Sequence, residues 1–361
     1  METGYSKLQL LFLLLLSLGI SNHVLIIPYL LQQAGRDAWV SAIIAFILLL
    51  IWGLILYSIC RSIRLQTFND WLKQRTGRFV SGIIIGAFFT YFLISALMIV
   101  FDATKSIKIY FLPRTPYFVI VITFAAICYS AAKSGLRAII YMSAILLPIV
   151  WLLGTGVSVA TSPSKEYSML FPIFSNGFGP VLHGAGIVFG GCMDLMVILL
   201  LQYKMKKPLN IPFIFVSVFL LVGLILGPVT GEIAAFGPNV ASNMRFPAFE
   251  QWRLVMIGPE ISHVDFLAVF QMMVGGVIRN ALCLYLLAEL IQWRPAAFPR
   301  AVMAAVSVLF CLIPIFKISD IWFQSFVQRY FYMFSIVFGI AMTCLLLIIS
   351  NLSPKKEGGT A

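Results

Sequence analysis

Ionisable side chains are scarce in the apolar stretches of this chain, and four of them fall within or near long hydrophobic runs: Asp102, Asp194, Glu232 and Arg279. A charge inside a bilayer costs about 2.5–3.5 kcal/mol on insertion scales unless it is paired or wetted, so each of the four is a functional candidate. Arg279 is the deepest, follows Gly275-Gly276, and lies too far from either end of its run to snorkel easily. It reads as a fixed cation inside a bundle, either balancing Asp194 or standing where a coupling cation is held. A structural ion pair that only sets helix register is the other reading. Asp194 is suited to bind a substrate amine, or to take up a proton where burial raises its pKa. Asp102 and Glu232 lie closer to the outer surface and read as solvated vestibule charges.

Hydrogen-bonding groups at mid-depth form a second set. Tyr91 and Ser95 lie one helical turn apart beside Thr90, a polar stripe predicted to face inward. A tyrosine there offers an aromatic wall and a hydroxyl to a small zwitterion, or an interhelical hydrogen bond with no ligand. The run Leu8 to Leu31 carries Gly19-Ile20-Ser21-Asn22-His23 and Pro28, and the run Pro180 to Gln202 carries Gly184, Gly186, Phe189, Gly190 and Gly191. Both runs are predicted to stop winding as helices at mid-depth, leaving peptide groups that hydrocarbon cannot satisfy and that must face protein, water or a ligand. Orphan N–H groups at such a break attract a carboxylate, and glycines let the backbone bend and a ligand approach. Close helix packing is the alternative reading of the glycines. His23 is either a proton carrier or a neutral, hydrogen-bonded support. The candidate ligand contacts are Gly19, Ser21, Asn22, Tyr91, Ser95, Gly184, Gly186 and Phe189, with Asp194, Arg279 and His23 as coupling or charge-pair candidates.

These residues must be positioned by membrane helices. The chain has 361 residues, 61% hydrophobic and 11% charged, with mean hydropathy +1.00. Its apolar residues lie in runs near the roughly 20 that span a bilayer, which predicts an all-α polytopic bundle of about ten spans. They are placed at about 8–31, 38–60, 79–103, 116–132, 136–160, 178–202, 211–236, 264–291, 298–316 and 326–350. Lys7 before Leu10 to Leu16 resembles a signal peptide. No small-x-small cleavage site follows Gly19, however, and apolar character resumes through Val24 to Leu31, so the first run is read as a span. The whole of 1–361 reads as one integral membrane domain. Interrupted first and sixth spans mark a five-plus-five inverted repeat, about 8–160 and about 178–350.

The +12 formal charge reports topology rather than nucleic-acid binding. Arg61, Arg64, Lys73, Arg75, Arg78, Lys133, Arg137, Lys204, Lys206, Lys207, Arg294, Arg300, Lys355 and Lys356 fall on one side of a ten-span chain, which predicts cytoplasmic termini. A short interfacial helix is predicted over 67–75, burying Leu65, Phe68, Trp71 and Leu72 opposite Asn69, Asp70, Lys73 and Gln74. A second, outer helix opens at Pro247, with Phe249, Trp252 and Met256 at helical spacing before Gly258-Pro259. The six cysteines all lie in apolar runs without CxxC spacing and read as small buried hydrophobes. No metal or cofactor is implied. No nucleophile-base pair, ligand set or phosphate loop occurs outside the spans, so an enzyme is not expected.

The segment Gly19 to Ser41, GISNHVLIIPYLLQQAGRDAWVS, resembles the first span and following loop of the spore germination permeases, the B subunits of nutrient germinant receptors, within the amino acid-polyamine-organocation superfamily. Ile145 to Val150 before Trp151, Arg114-Thr115-Pro116 ahead of the fourth span, and Pro247 to Asp265 with Arg253 and Gly258 are similar to that family too. The likeness runs from about residue 5 to about 350. It implies the five-plus-five inverted-repeat fold, residence in the inner membrane of the dormant spore, an A subunit and a C-subunit lipoprotein as partners, and a small amino acid or related nutrient as ligand. The chain departs from the family pattern at Ser262-His263 before the eighth span, at Met272 within it, and at Asp194, where the family often has Glu. A proton-coupled amino acid transporter, using Asp194, His23 and Arg279, is the alternative function, and a permease shell serving as scaffold or ion conduit is a third.

Overall fold

The long apolar runs wind into helices because a peptide segment surrounded by hydrocarbon must satisfy its N–H and C=O groups within itself. The computed structural model describes residues 4–256, 264–291 and 298–354, and the side chains of residues 20–23 lie outside the described residues. The helices are α1 (Lys7–Leu14), α2 (Ile20–Ala34), α3 (Ala38–Ile63), α4 (Phe68–Tyr110), α5 (Tyr117–Lys133), α6 (Gly135–Ala160), α7 (Phe178–Cys192) and α8 (Val197–Leu201). They continue with α9 (Ile211–Phe236), α10 (Pro238–Ala241), α11 (Pro247–Arg253), α12 (Phe266–Leu290), α13 (Phe298–Cys311), α14 (Asp320–Phe326) and α15 (Tyr332–Ser350). Among the described residues, eight helical stretches are long and apolar enough to cross a membrane, with Lys7–Gly19 and Tyr117–Lys133 as shorter apolar helices. The one β-like contact among them is a bridge from Tyr5 to Met205.

Chain connections collect at two ends of the bundle. At one end, Tyr5 N donates to the Lys204 carbonyl at 2.9 Å and Lys206 N to the Tyr5 carbonyl at 3.0 Å, so the N-terminus is tied to the segment after α8. At this same end the Ser62 hydroxyl donates to the Ser350 carbonyl and Asn69 Nδ2 to the Leu290 carbonyl. At the opposite end, predicted to face outward, Phe174 N donates to Asp37 Oδ1 at 2.9 Å and Glu166 N to the Ala234 carbonyl at 2.8 Å.

The interfacial helix forms as the first part of α4. Its Thr67 side chain accepts from Asp70 N, and Gly77, at φ +82°, separates it from the spanning part. Phe68, Trp71 and Leu72 are buried as expected, whereas Leu65 is exposed and Asn69 is buried. Asn69 points inward because its amide caps the α12 carbonyl of Leu290, an otherwise orphaned helix-end acceptor.

Neither expected break opens. The first span is helical from Lys7 to Ala34, with the irregularity confined to a π-helical stretch, Leu15–Gly19, and Pro28 is carried inside α2. A π turn lengthens the hydrogen-bonded ring instead of releasing its peptide groups, so the backbone stays satisfied at depth. Gly184, Gly186, Gly190 and Gly191 all lie within regular α7, and the sixth span departs from α-helix only at the 3-10 turn Met193–Met196. These glycines admit neighbours. A methyl on Gly190 would stand 2.7 Å from the Tyr332 carbonyl oxygen, one on Gly184 would stand 2.7 Å from Ser41 Oγ, and one on Gly191 would collide with the Ile26 side chain.

Candidate functional site

Both irregular turns lie beside one buried polar cluster. The 3-10 turn carries Asp194, the π turn packs against α12, and α12 carries Arg279. The two side chains form an ion pair through Arg279 Nη2 and Asp194 Oδ2. Tyr91 Oη donates to Asp194 Oδ1 at 2.7 Å, Ser95 Oγ lies 3.5 Å from Asp194 Oδ2, and Arg279 Nη2 donates to Ser95 Oγ at 2.9 Å. All four residues are at most 4% exposed. The Tyr91 ring stacks on Phe338 at 4.4 Å between centroids, which fixes its hydroxyl toward Asp194. Adjacent free space, lined by Leu18, Phe92, Ser95, Asp194, Arg279 and Cys283, is about 10 Å³, smaller than a ligand needs.

Four candidates from the sequence, Tyr91, Ser95, Asp194 and Arg279, are thus brought together. The remaining ones are distributed differently. Gly19 ends the π turn and packs against Leu224 of α9. The side chains of Ser21, Asn22 and His23 lie outside the described residues, as do Gly258-Pro259, Ser262-His263, Arg294, Lys355 and Lys356. Gly184 packs on Ser41 and Leu30. Gly186 and Phe189 face a groove between α3, α7 and α15 lined also by Leu48, Trp52 and Ile340, away from the ion pair. The expectation that Gly186 and Phe189 share a pocket with Tyr91 is therefore corrected: they occupy the face of α7 turned to α3 and α15.

Open space lies at the end predicted to face outward. A cavity of about 290 Å³ is bounded by Ile27 and Pro28 of α2, Thr155 and Ser158 of α6, Gly227 and Pro228 of α9, Phe249 and Trp252 of α11, and Met272 of α12. The predicted outer helix, α11, forms one wall, with Trp252 buried, although Met256 lies beyond its end and is exposed. Lys165 also lines the cavity. Burial lowers the pKa of its ammonium below the ordinary 10.5, and Glu232 acts in the opposite sense.

Asp102 and Glu232 are not solvated. Asp102 is 2% exposed and accepts from Arg245 Nη2 at 2.6 Å, while Asp320 accepts from Arg245 Nε and Nη2, both at 3.1 Å. Arg245 thereby clamps α4 to the start of α14. Its own burial pulls the guanidinium pKa down, and Asp102 and Asp320 more than reverse the effect, leaving it above the ordinary arginine value. Glu232 is fully buried, and its carboxylate oxygens have no hydrogen-bond partner among the described residues. The Arg245 clamp was not anticipated. Its acids lie at the ends of distant spans, so no local sequence pattern signals it.

The spore germination protein family, the spore permeases, matches residues 6–316 of this chain. Spore germination protein XB of Bacillus anthracis is 33% identical over 349 residues, covering 97% of this chain and 98% of that protein. Spore germination protein YndE of Bacillus subtilis (strain 168) is 26% identical over 182 residues, 50% of this chain and 49% of that one. With the family match running from α1 to the turn after α13, and a relative aligned almost end to end, this apolar helical chain belongs to the spore germination permease family.

Proposed function

We propose that the chain is the nutrient-sensing, permease-like B subunit of a spore germinant receptor, acting in the spore's inner membrane with both termini cytoplasmic. Its partners are a receptor A subunit and a C-subunit lipoprotein. The proposal includes ten spans in a five-plus-five inverted repeat, of which the π turn at Leu15–Gly19 and the 3-10 turn at Met193–Met196 are the paired irregular positions. A small amino acid or related nutrient enters from outside and shifts the bundle without being chemically changed. The observation that carries this reading is the contrast between an open outer cavity ending at Val24 and Met272 and a charged centre at Asp194–Arg279 with no room for a guest. A ligand acts on such a centre only by favouring one helix arrangement over another, which is how a sensor signals. Gly19, Ser21 and Asn22 belong to the proposed ligand path, with Tyr91 and Ser95 as the groups that change partners.

The test is a panel of individual nutrients applied to spores lacking this chain. Loss of response to one nutrient class is expected, and an unchanged response to every nutrient overturns the sensing role. The buried Asp194–Arg279 pair also favours a second reading, a proton-coupled amino acid transporter. Uptake of labelled amino acid into proteoliposomes, stimulated by an inward proton gradient, would select it.

A further inference from the structure

Among the described residues lining the outer cavity, Lys165 carries the only charge. Its Nζ donates to the Ser158 carbonyl at 3.2 Å and lies 3.4 Å from Ser158 Oγ, so the last turn of α6 holds it at the rim. Gln251 lines the same cavity. It is 5% exposed, and its Nε2 has no hydrogen-bond partner among the described residues. A buried amide donor without an acceptor is costly, which points to an acceptor that arrives from outside. The two groups converge: a methyl built on Gly231 would lie 3.0 Å from Gln251 Nε2 and 3.3 Å from Lys165 Nζ. Glycine at 231 lets both groups approach the α9 backbone closely. Glu232, next in the chain, is buried and acts on the Lys165 pKa against the larger effect of burial.

A cation and an amide N–H close together on one cavity wall are the complement of a carboxylate, the cation supplying the stronger, charge-assisted bond. The rest of the wall is mostly apolar and aromatic, with Phe111, Phe249, Trp252, Ile27 and Leu224, and carries Ser106, Thr155, Ser158 and Gln271 as uncharged polar groups. At about 290 Å³ the cavity stands near the small end of ligand pockets, which excludes peptides and large cofactors. We infer that Lys165 and Gln251 form a carboxylate-binding subsite in the outer cavity, taking a small carboxylic acid whose apolar tail lies against Phe111, Phe249 and Trp252. The subsite needs no amine on its ligand. It lies apart from the Asp194–Arg279 cluster and stands or falls separately from the sensing role.

The test is isothermal titration calorimetry of the full chain in detergent with 3-phenylpropionate, L-phenylalanine and phenethylamine. The two carboxylates are expected to bind and the amine to give no heat. Lys165→Met should weaken 3-phenylpropionate at least about tenfold, the scale of a lost charge-assisted hydrogen bond, and Lys165→Arg should restore most of it. Gln251→Leu, which removes the amide and keeps its bulk, should weaken binding severalfold and carries the comparison if Lys165→Met does not fold. The subsite is overturned if wild-type protein binds neither carboxylate, if phenethylamine binds as tightly as the acid, or if folded Lys165→Met and Gln251→Leu both bind like wild type. A nutrient response that is lost without the chain, alongside absent carboxylate binding, removes the subsite alone. Intact binding with spores indifferent to loss of the chain removes the sensing role alone.

Discussion

Neutralising the Asp194–Arg279 pair one residue at a time, and then together, tests whether its two charges act as a unit. Arg279→Met leaves a buried carboxylate with the hydroxyl donors Tyr91 and Ser95, at 2.7 and 3.5 Å. An uncompensated buried charge costs about 3–5 kcal/mol, and the surviving Tyr91 bond holds the loss near the lower end. Asp194→Leu leaves the guanidinium facing Ser95 Oγ, at 2.9 Å, in place of a carboxylate, a loss of about 3–5 kcal/mol. The double variant buries no charge and loses mainly hydrogen bonds, a net cost of about 1–2 kcal/mol. Summed single losses of at least about 6 kcal/mol against a double loss of about 2 kcal/mol predict a coupling near 4 kcal/mol. The measurement is SDS-driven unfolding of the purified variants in detergent micelles, followed by far-UV circular dichroism. Additivity of the two single losses within about 0.5 kcal/mol would refute the reasoning, because independent sites add and a bonded pair does not.

Three further outcomes follow from the packing and the outward end. Gly190→Ala should destabilise by about 1–3 kcal/mol, because its methyl meets the Tyr332 carbonyl at 2.7 Å, while Gly186→Ala, whose nearest neighbour is Ile336 Cδ1 at 3.6 Å, should stay within about 0.5 kcal/mol; thermal melting separates them. Arg245→Met leaves Asp102 and Asp320 without the cation between them and should cost about 3 kcal/mol in the same assay, and Arg245→Lys should not restore it, since an ammonium cannot replace the two-toothed contact with Asp320. Binding of 3-phenylpropionate should fall as pH rises through a midpoint below 10.5. The Lys165 ammonium loses its proton earlier than an exposed lysine, burial outweighing the opposing pull of Glu232, while the ligand carboxylate stays ionised throughout. A titration flat up to pH 10.5 contradicts it.

Asp194, Arg279, Tyr91 and Ser95 were the legible part of the site. A charge at depth is expensive, so Asp194 and Arg279 had few acceptable surroundings other than each other, and Tyr91 and Ser95 shared the helix face that meets them. Glycines carry no such constraint. The same four residues in α7 suit a bend or a close approach, and the choice depends on what stands opposite, here Ser41, Tyr332 and Ile26. Asn69 shows the limit of face-by-face reading, since its hydrophilicity predicts an outward position that the Leu290 carbonyl overrides. The Arg245 clamp joins residues 143 and 75 positions apart, a distance that no local pattern encodes.

The placement of these features constrains how any ligand signal travels. The outer cavity ends at Met272, two turns before Arg279 on α12, and at Val24, past the π turn that packs on the same helix. A guest held in the cavity therefore touches α12, which carries Arg279, and α2, which follows the π turn, without touching the ion pair itself. Coupling between the two needs an element with two arrangements, and a π turn is a position where helical pairing can be exchanged at small cost because its hydrogen bonds are already displaced. Rotation of α2 about Leu15–Gly19 would move Leu18 against the Asp194–Arg279 cluster, which has no spare volume to absorb it. The charged centre must then either repack with it or oppose it. A ligand that distinguishes the two states acts on the whole bundle through this contact, whereas one that binds both equally leaves it unmoved however tightly it is held.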